Sequence, residues 1–267
     1  MSIALHSGHQ PRKRFGQNFL VDAHYIARIV AAIAPQPGDN LVEIGPGMAA
    51  LTGGLVAAAG HVIAIEIDRD LAAELAATFT PQQLTLHVAD ALTFDYATLG
   101  PQLRVVGNLP YNISSPLLFH LADYETGLRD MHVMLQREVV ARMTAAPATA
   151  DYGRLSVMLQ SRFAITRLFT VPAGAFRPAP KVESAVARLV PLGEAKPVIR
   201  DAALFARVVA AAFGQRRKTL RNALAAICDA SALEATGINP GARGETLSVA
   251  DFVRLSERLA LRDNASG

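Results

Sequence analysis

At Val105-Val106-Gly107-Asn108-Leu109-Pro110-Tyr111 an apolar run ends in a side-chain amide, a proline and a phenol. The exocyclic nitrogen of adenine is a poor nucleophile, because its lone pair is delocalised into the ring. The side-chain oxygen of Asn108 and the backbone carbonyl of Leu109 can both accept from its N–H groups. That favours a tetrahedral nitrogen whose lone pair points at an electrophilic methyl. Pro110 fixes the local backbone and brings no competing donor, and the ring of Tyr111 can stack on a base. The same residue types also build an ordinary turn.

Upstream, Val42-Glu43-Ile44-Gly45-Pro46-Gly47-Met48-Ala49-Ala50 joins an apolar run to a helical one through G-x-G-x-x-A. Glycines there let the backbone turn tightly and approach a nucleotide-like ligand. Glu66, about 20 residues on, stands where an acid hydrogen-bonds ribose hydroxyls. Nicotinamide enzymes and enzymes that use S-adenosylmethionine (SAM) share this arrangement, and a plain strand-to-helix turn has it too. Asp90 ends the next strand in Val88-Ala89-Asp90-Ala91, as a ligand acceptor or as a cap. Glu43, Glu66 and Asp90 thus mark three successive strand ends on one sheet edge, where open α/β folds bind ligands.

Positioning these groups takes a regular scaffold. Short apolar runs at residues 41–44, 62–67, 84–88, 105–106 and 132–135 alternate with helical stretches such as 70–79 and 116–121. Strands too apolar to have a wet face predict a parallel sheet covered on both sides by helices. A helix over 21–34 precedes them, with Ile26, Ile29, Val30 and Ile33 on one face, Asp22 as cap and Pro35 beyond its end. Residues 184–190 alternate as a late strand, placed antiparallel. Beyond residue 197 only helices are expected, at 201–213, 217–227 and 248–261, the last opened by a Ser248/Asp251 capping box. The predicted organisation is an α/β, Rossmann-like catalytic domain over residues 1–196 with a basic N-terminal segment, then a small all-helical RNA-binding domain over 197–267.

The 267 residues, 51% hydrophobic and 18% charged, suffice for one sizeable core and a small second domain and exclude a disordered or collagen-like polymer. No apolar run approaches the roughly 18 to 20 residues of a bilayer-spanning helix, and residues 1–11 lack the apolar stretch of a secretory signal. The single cysteine, Cys228, permits no internal disulfide and no multi-thiolate metal site, which suits a reducing cytoplasm. No metal is expected. The net charge of +3 is uneven: residues 1–21 carry three bases and no acid, 22–130 sum to −8 and 131–267 to +8. A basic part beside an acidic part points to a polyanionic partner for the first, against the plainer reading of solvated surface charge. The candidate RNA contacts are Arg12, Lys13, Arg14, Arg216, Arg217, Lys218 and Arg221, with Arg217 and Arg221 one helical turn apart on the expected 217–227 helix.

The sequence resembles, nearly end to end, the ribosomal RNA adenine dimethyltransferases that modify small-subunit RNA, the KsgA family. The resemblance is carried by Gln17-Asn18-Phe19-Leu20, Glu43-Ile44-Gly45-Pro46-Gly47, Glu66-Ile67-Asp68, Asp90-Ala91 and Asn108-Leu109-Pro110-Tyr111-Asn112-Ile113-Ser114. Further along, Tyr152-Gly153-Arg154-Leu155-Ser156-Val157, Phe176-Arg177-Pro178-Ala179-Pro180-Lys181-Val182-Glu183-Ser184 and Gln215-Arg216-Arg217-Lys218-Thr219-Leu220-Arg221-Asn222 complete it. It implies a class I, SAM-dependent methyltransferase. Asn18 and Leu20 would line the cofactor site, Gly45 would approach the methionine part, Glu66 the ribose and Asp90 the adenine. Asn108 would border the cofactor and bind the target nitrogen through its side chain, with the Leu109 carbonyl beside it. Tyr111 and Phe176 would sandwich the target adenine, although Phe176 by itself reads equally as core filler.

The implied product is N6,N6-dimethyladenosine at two adjacent adenosines in a hairpin loop near the 3′ end of small-subunit (16S) RNA, where an unstacked base can enter a pocket. Implied partners are that RNA and the immature small ribosomal subunit, with no membrane, for a cytoplasmic monomer engaged in ribosome biogenesis. Two departures stand out: Pro147-Ala148-Thr149-Ala150-Asp151 replaces the usual Gly and Lys before Tyr-Gly-Arg-Leu, and Ala173 replaces a second proline. No RNA contact is carried over to the first of these loops. The competing readings are a nicotinamide oxidoreductase, a non-catalytic RNA-binding or assembly factor, and a relative acting on large-subunit RNA.

Overall fold

A computed structural model describes residues 17–215 and 217–265, so Arg12, Lys13, Arg14 and Arg216 lie outside the described residues. The described chain opens with β1 (Phe19–Leu20) and α1 (Ala23–Ile33). The Asp22 side chain accepts from the N–H groups of His24 and Tyr25 and so starts α1. Ile29 and Ile33 are buried on the face that the spacing predicts. Then follow β2 (Asn40–Ile44), α2 (Thr52–Ala59), β3 (Val62–Glu66), α3 (Arg69–Thr78), β4 (Leu84–Val88), β5 (Leu103–Asn108), α4 (Ser114–Ala122) and β6 (Leu128–Gln136). After α5 (Arg137–Thr144) and α6 (Arg154–Gln160) come β7 (Phe163–Val171), β8 (Phe176–Arg177) and β9 (Ser184–Pro191).

Seven strands form one sheet in the order β4-β3-β2-β5-β6-β9-β7. The pairs among β2 to β6 are parallel, and β9 runs antiparallel to β6. Parallel pairing follows from burial on both faces. Val42, Ala64, Val105 and Val106 are closed to solvent, and Ile33, Leu55 and Leu75 from the helices close over the sheet. Each such valine, leucine or isoleucine contributes about 1.5–3 kcal/mol. The chain winds outward from β2 through β3 to β4, then returns to the other side of β2 with β5. That reversal leaves a crevice beyond the carboxyl ends of β2 and β5. At the opposite ends of the strands Arg104 is buried but compensated: it forms a two-pronged pair with Asp130 at 3.0 and 3.1 Å and a second ion pair with Asp39.

The short strands β1 and β8 pair antiparallel, Leu20 facing Phe176. Neither these nor β7 is expected from the sequence pattern. Two-residue strands have no periodicity to read, and β7 has only its ends, Phe163 and Val171, fully buried.

The described residues fall into two compact units, residues 17–140 with 165–191 and residues 141–164 with those from 192 onward. They replace the single boundary expected at residue 196. The physical reason is that Ala145, Tyr152 and Val157 pack into the helical core, with Phe205, Val209, Leu233 and Phe252. The second unit adds α7 (Ala202–Gly214), α8 (Leu220–Ala223), α9 (Ala230–Glu234) and α10 (Val249–Ala265). The capping box is present, Asp251 N–H donating to Ser248 Oγ at 3.1 Å and Ser248 N–H to Asp251 Oδ2 at 2.9 Å. The helix expected over 217–227 is corrected to the four residues of α8. Thr219 is extended (φ −69°, ψ 158°), so a helix cannot run through it, and Arg217 therefore does not share a helical face with Arg221. Among the described residues no helix is long and apolar enough to cross a membrane.

Candidate functional site

The crevice is a cavity of about 330 Å³, lined by residues 17–20 and by the ends of β2, β3, β4 and β5 with the loops that follow them. Ligand pockets of about 300–1,000 Å³ are usual. Asn18, Leu20, Gly45, Glu66, Asp90, Asn108, Leu109 and Tyr111 all line it. The topology brings them together from positions up to 93 residues apart in the chain, 18 to 111.

Glycine is needed at two points of the cavity wall. Gly47 has φ +56°, and a Cβ there would also meet the Phe19 ring at 3.1 Å. At Gly107 a Cβ would lie 2.6 Å from the carbonyl oxygen of Ile44, so β5 comes this close to β2 only because no side chain intervenes.

Glu66 is held from both sides. Its Oε2 accepts from Gly47 N–H at 3.1 Å and its Oε1 from Asp68 N–H at 2.9 Å. Burial pushes its carboxyl above the ordinary range, and these backbone donors pull it back in part. Each oxygen keeps a second lone pair for a ligand hydroxyl. Asp90 both caps and lines: Oδ1 accepts from Leu92 N–H at 2.9 Å while the residue borders the cavity. Under that loop Tyr96 is fully buried and donates to the Ala91 carbonyl at 3.1 Å.

Asn108 donates from Nδ2 to the carbonyl of Asn18 at 3.0 Å. The amide is thereby oriented, and its oxygen remains an acceptor that receives no hydrogen bond from a described residue. Tyr111 shares a 2.6 Å hydrogen bond with Ser184 Oγ, which fixes its ring at the cavity wall. Burial raises the Tyr111 phenol above its ordinary value, and the Ser184 bond opposes the rise.

Phe176 does not line the cavity. It is fully buried in the apolar core with Leu20, Val171 and Val186, and its strand carries β1. The structure thus gives it the core position that the sequence left open. Arg217, Lys218 and Arg221 lie exposed in the second unit. The sequence reading passed over Gln17, Phe19, Leu92 and Ile113, which also line the cavity, and gave Ile67 no role. Ile67 stands 43% exposed directly after β3, a feature that only the folded structure displays.

The charge of the lining is one-sided. Glu43, Glu66 and Asp90 border the cavity, and no Lys, Arg or His does so among the described residues. Such a wall suits a ligand carrying positive charge, as the sulfonium and ammonium of SAM do. It would repel the pyrophosphate of a nicotinamide dinucleotide, which needs donors and positive charge. The buried, partnerless Oε2 of Glu43 is a further vacant acceptor in the same wall.

The profile of a family described as "Ribosomal RNA adenine dimethylase" matches residues 8–261. A protein of Aromatoleum aromaticum named "Ribosomal RNA small subunit methyltransferase A" is 59% identical over 256 residues, 96% of this chain and 97% of the relative. Among solved structures, a dimethyladenosine transferase from Plasmodium falciparum superposes with a TM-score of 0.77 at 24% identity, covering 93% of this chain and 98% of that one, a likeness of fold. The 23S rRNA methyltransferase ErmE gives 0.69 at 29% identity, covering 91% and 100%.

Proposed function

This chain belongs to the ribosomal RNA adenine dimethylase family, and from that premise we propose that it is the SAM-dependent enzyme that dimethylates N6 of two adjacent adenosines in a hairpin loop near the 3′ end of small-subunit ribosomal RNA. One observation carries the reading: Asn108 holds a fixed amide at the same cavity that three carboxyls line without a base.

SAM supplies a methyl group on a positively charged sulfur, an electrophile that needs no further activation. Glu66 and Asp90 are the acceptors for ribose hydroxyls and an adenine amino group. Leu20 in β1 and Asn18 just before it close the wall, and Phe176 backs β1 through β8. On the substrate side the Asn108 oxygen and the Leu109 carbonyl accept from the two N–H groups of the target amine. Its lone pair is then localised for in-line attack without prior deprotonation, and the alkylated nitrogen sheds its proton afterwards. Such preorganised acceptors commonly contribute about 10²- to 10³-fold. The ring of Tyr111, fixed by Ser184, offers the stacking face, and base–aromatic stacking contributes about 1–3 kcal/mol.

Small-subunit specificity follows the name of the 59% identical relative rather than that of ErmE at 29%. Exposed Arg217, Lys218 and Arg221, with Arg12, Lys13, Arg14 and Arg216, are the proposed phosphate contacts, each steepening the fall of log affinity with log salt by about 0.7 to 0.9. The proposed partner is the immature small subunit, met in the cytoplasm by a single copy of the chain. Incubation with methyl-labelled SAM and immature small subunits, naked small-subunit RNA or large subunits tests the whole reading. Label in adenine of the small-subunit RNA is expected. Absence of label would leave a binding protein, and label in large-subunit RNA would reassign the substrate.

A further inference from the structure

Glu43 is the penultimate residue of β2, just before the glycine turn, and it is 2% exposed although it lines the cavity. Its Oε2 is shut off from solvent and has no hydrogen-bond partner. The groups that face it are few. From α2 comes the Thr52 hydroxyl, near enough to favour the carboxylate although it forms no hydrogen bond to Oε2. From β3 comes the Glu66 carboxyl, and on β5 the register partner of Glu43 is Val106, which does not titrate. No Lys, Arg or His lines the cavity among the described residues.

Two buried carboxyls that line one cavity do not both ionise readily, and they divide the roles according to their donors. Glu66 receives two backbone N–H bonds, which stabilise its anion. Glu43 has a bare oxygen, and the proton settles there. Burial pushes its carboxyl up to about 7, opposed by the Thr52 hydroxyl and reinforced by the Glu66 charge.

We propose that Glu43 is a proton-linked specificity residue of the cavity: it is protonated while no cation is bound and ionises when a positively charged ligand enters. The inference rests on the reading of the cavity as a SAM site. Binding of the sulfonium form expels the Glu43 proton to solvent, and loss of the methyl, which leaves a neutral thioether, lets a proton return. The carboxylate therefore favours SAM over its demethylated product S-adenosylhomocysteine (SAH), because SAM carries one more positive charge in the same space. An enzyme that must exchange cofactor between successive methyl transfers gains faster turnover from that preference.

The test is calorimetric titration of the full chain with SAM, SAH and adenosine, in buffers of differing protonation enthalpy between about pH 6 and pH 8. The expected result is net proton release with SAM, less with SAH and none with adenosine. SAM affinity should rise up to about tenfold per pH unit below pH 7 and level off above it. In Glu43→Gln, which copies the protonated side chain, both the release and the pH dependence vanish. Undiminished release in Glu43→Gln, equal release with SAM and SAH, or no release from the wild type would each overturn the proposal. Carboxyl ¹³C resonances of the glutamate-labelled wild-type chain provide a reading that needs no variant. Glu43 should move from acid to carboxylate on addition of SAM, and a carboxylate before addition refutes the idea. Failure of SAM to bind at all would defeat the cofactor reading itself, whereas binding without proton release defeats the role of Glu43 alone.

Discussion

Gly107→Ala separates the scaffold from the chemistry that it carries. A Cβ at this position would lie 2.6 Å from the Ile44 carbonyl oxygen and 3.0 Å from a Leu109 methyl. The leucine can turn aside, but the carbonyl belongs to the backbone of β2, which pairs with β5 through Val42–Val105 and Glu43–Val106. Reaching the roughly 3.3 Å of a close C···O contact requires the strands to part by about 0.7 Å. Overpacking of this kind costs about 1–3 kcal/mol, and at about 2–4 °C per kcal/mol the melting temperature should fall by about 2–12 °C. The displacement falls where Asn108 and the Gly45 turn begin, and a misplacement of about 1 Å commonly lowers turnover about 10²-fold. Gly127→Ala is the matched control, because a Cβ there meets nothing within 4 Å. Thermal unfolding and methyl transfer to small-subunit RNA, measured on both variants, give the answer. If Gly107→Ala melts with the control and turns over at the wild-type rate, the close approach of β5 to β2 does not position the site.

Three further outcomes are expected. Asn108→Ala should leave SAM affinity nearly intact in equilibrium binding and lower turnover by about 10²- to 10³-fold; parallel losses in both would show that the amide serves the cofactor alone. Tyr111→Phe keeps the ring and loses only the bond to Ser184, so single-turnover rates should stay within about tenfold, whereas Tyr111→Ala forfeits the stacking, about 1–3 kcal/mol. Equal effects of the two substitutions would assign the role of Tyr111 to its hydroxyl. His132 is buried in β6 with neither ring nitrogen hydrogen-bonded and Asp130 3.8 Å from Nδ1, and burial, opposed by the Asp130 charge, pushes its pKa down to about 4. The unfolded chain takes up the proton near pH 6.5, so the stability due to neutral His132 is complete above about pH 6.5 and is lost as pH falls from there to about 4. Urea unfolding across that range should show a shallower decline in His132→Leu, and an identical decline would clear His132 of the effect.

Local sequence determines much of this protein. The apolar runs at 41–42, 62–65 and 105–106, which lead to Glu43, Glu66 and Asn108, state their strands directly, because a strand covered on both faces has little room for polar residues, whereas the strand before Asp90 carries Thr85 and His87 and is only partly covered. Asp22, Asp201 and the Ser248/Asp251 box announce their helices through side chains that bond the nearest free N–H groups. Such signals are legible because donor and acceptor lie within three residues of each other.

Contacts between distant segments could not be read in this way. The sequence cannot say that Phe176 packs into the core opposite Leu20, since an aromatic between prolines suits a core position or a substrate face alike. Nor does it show that Thr219 is extended and parts Arg217 from Arg221, or that residues 141–164 pack with the helical unit. The division of charge between Glu43 and Glu66 is also tertiary. The two residues look alike along the chain, and only the folded backbone gives two N–H donors to one carboxyl and leaves an oxygen of the other bare. Residue types fixed which groups could take part, and the long-range pairing of the strands decided which of them meet, how closely, and in what state of charge.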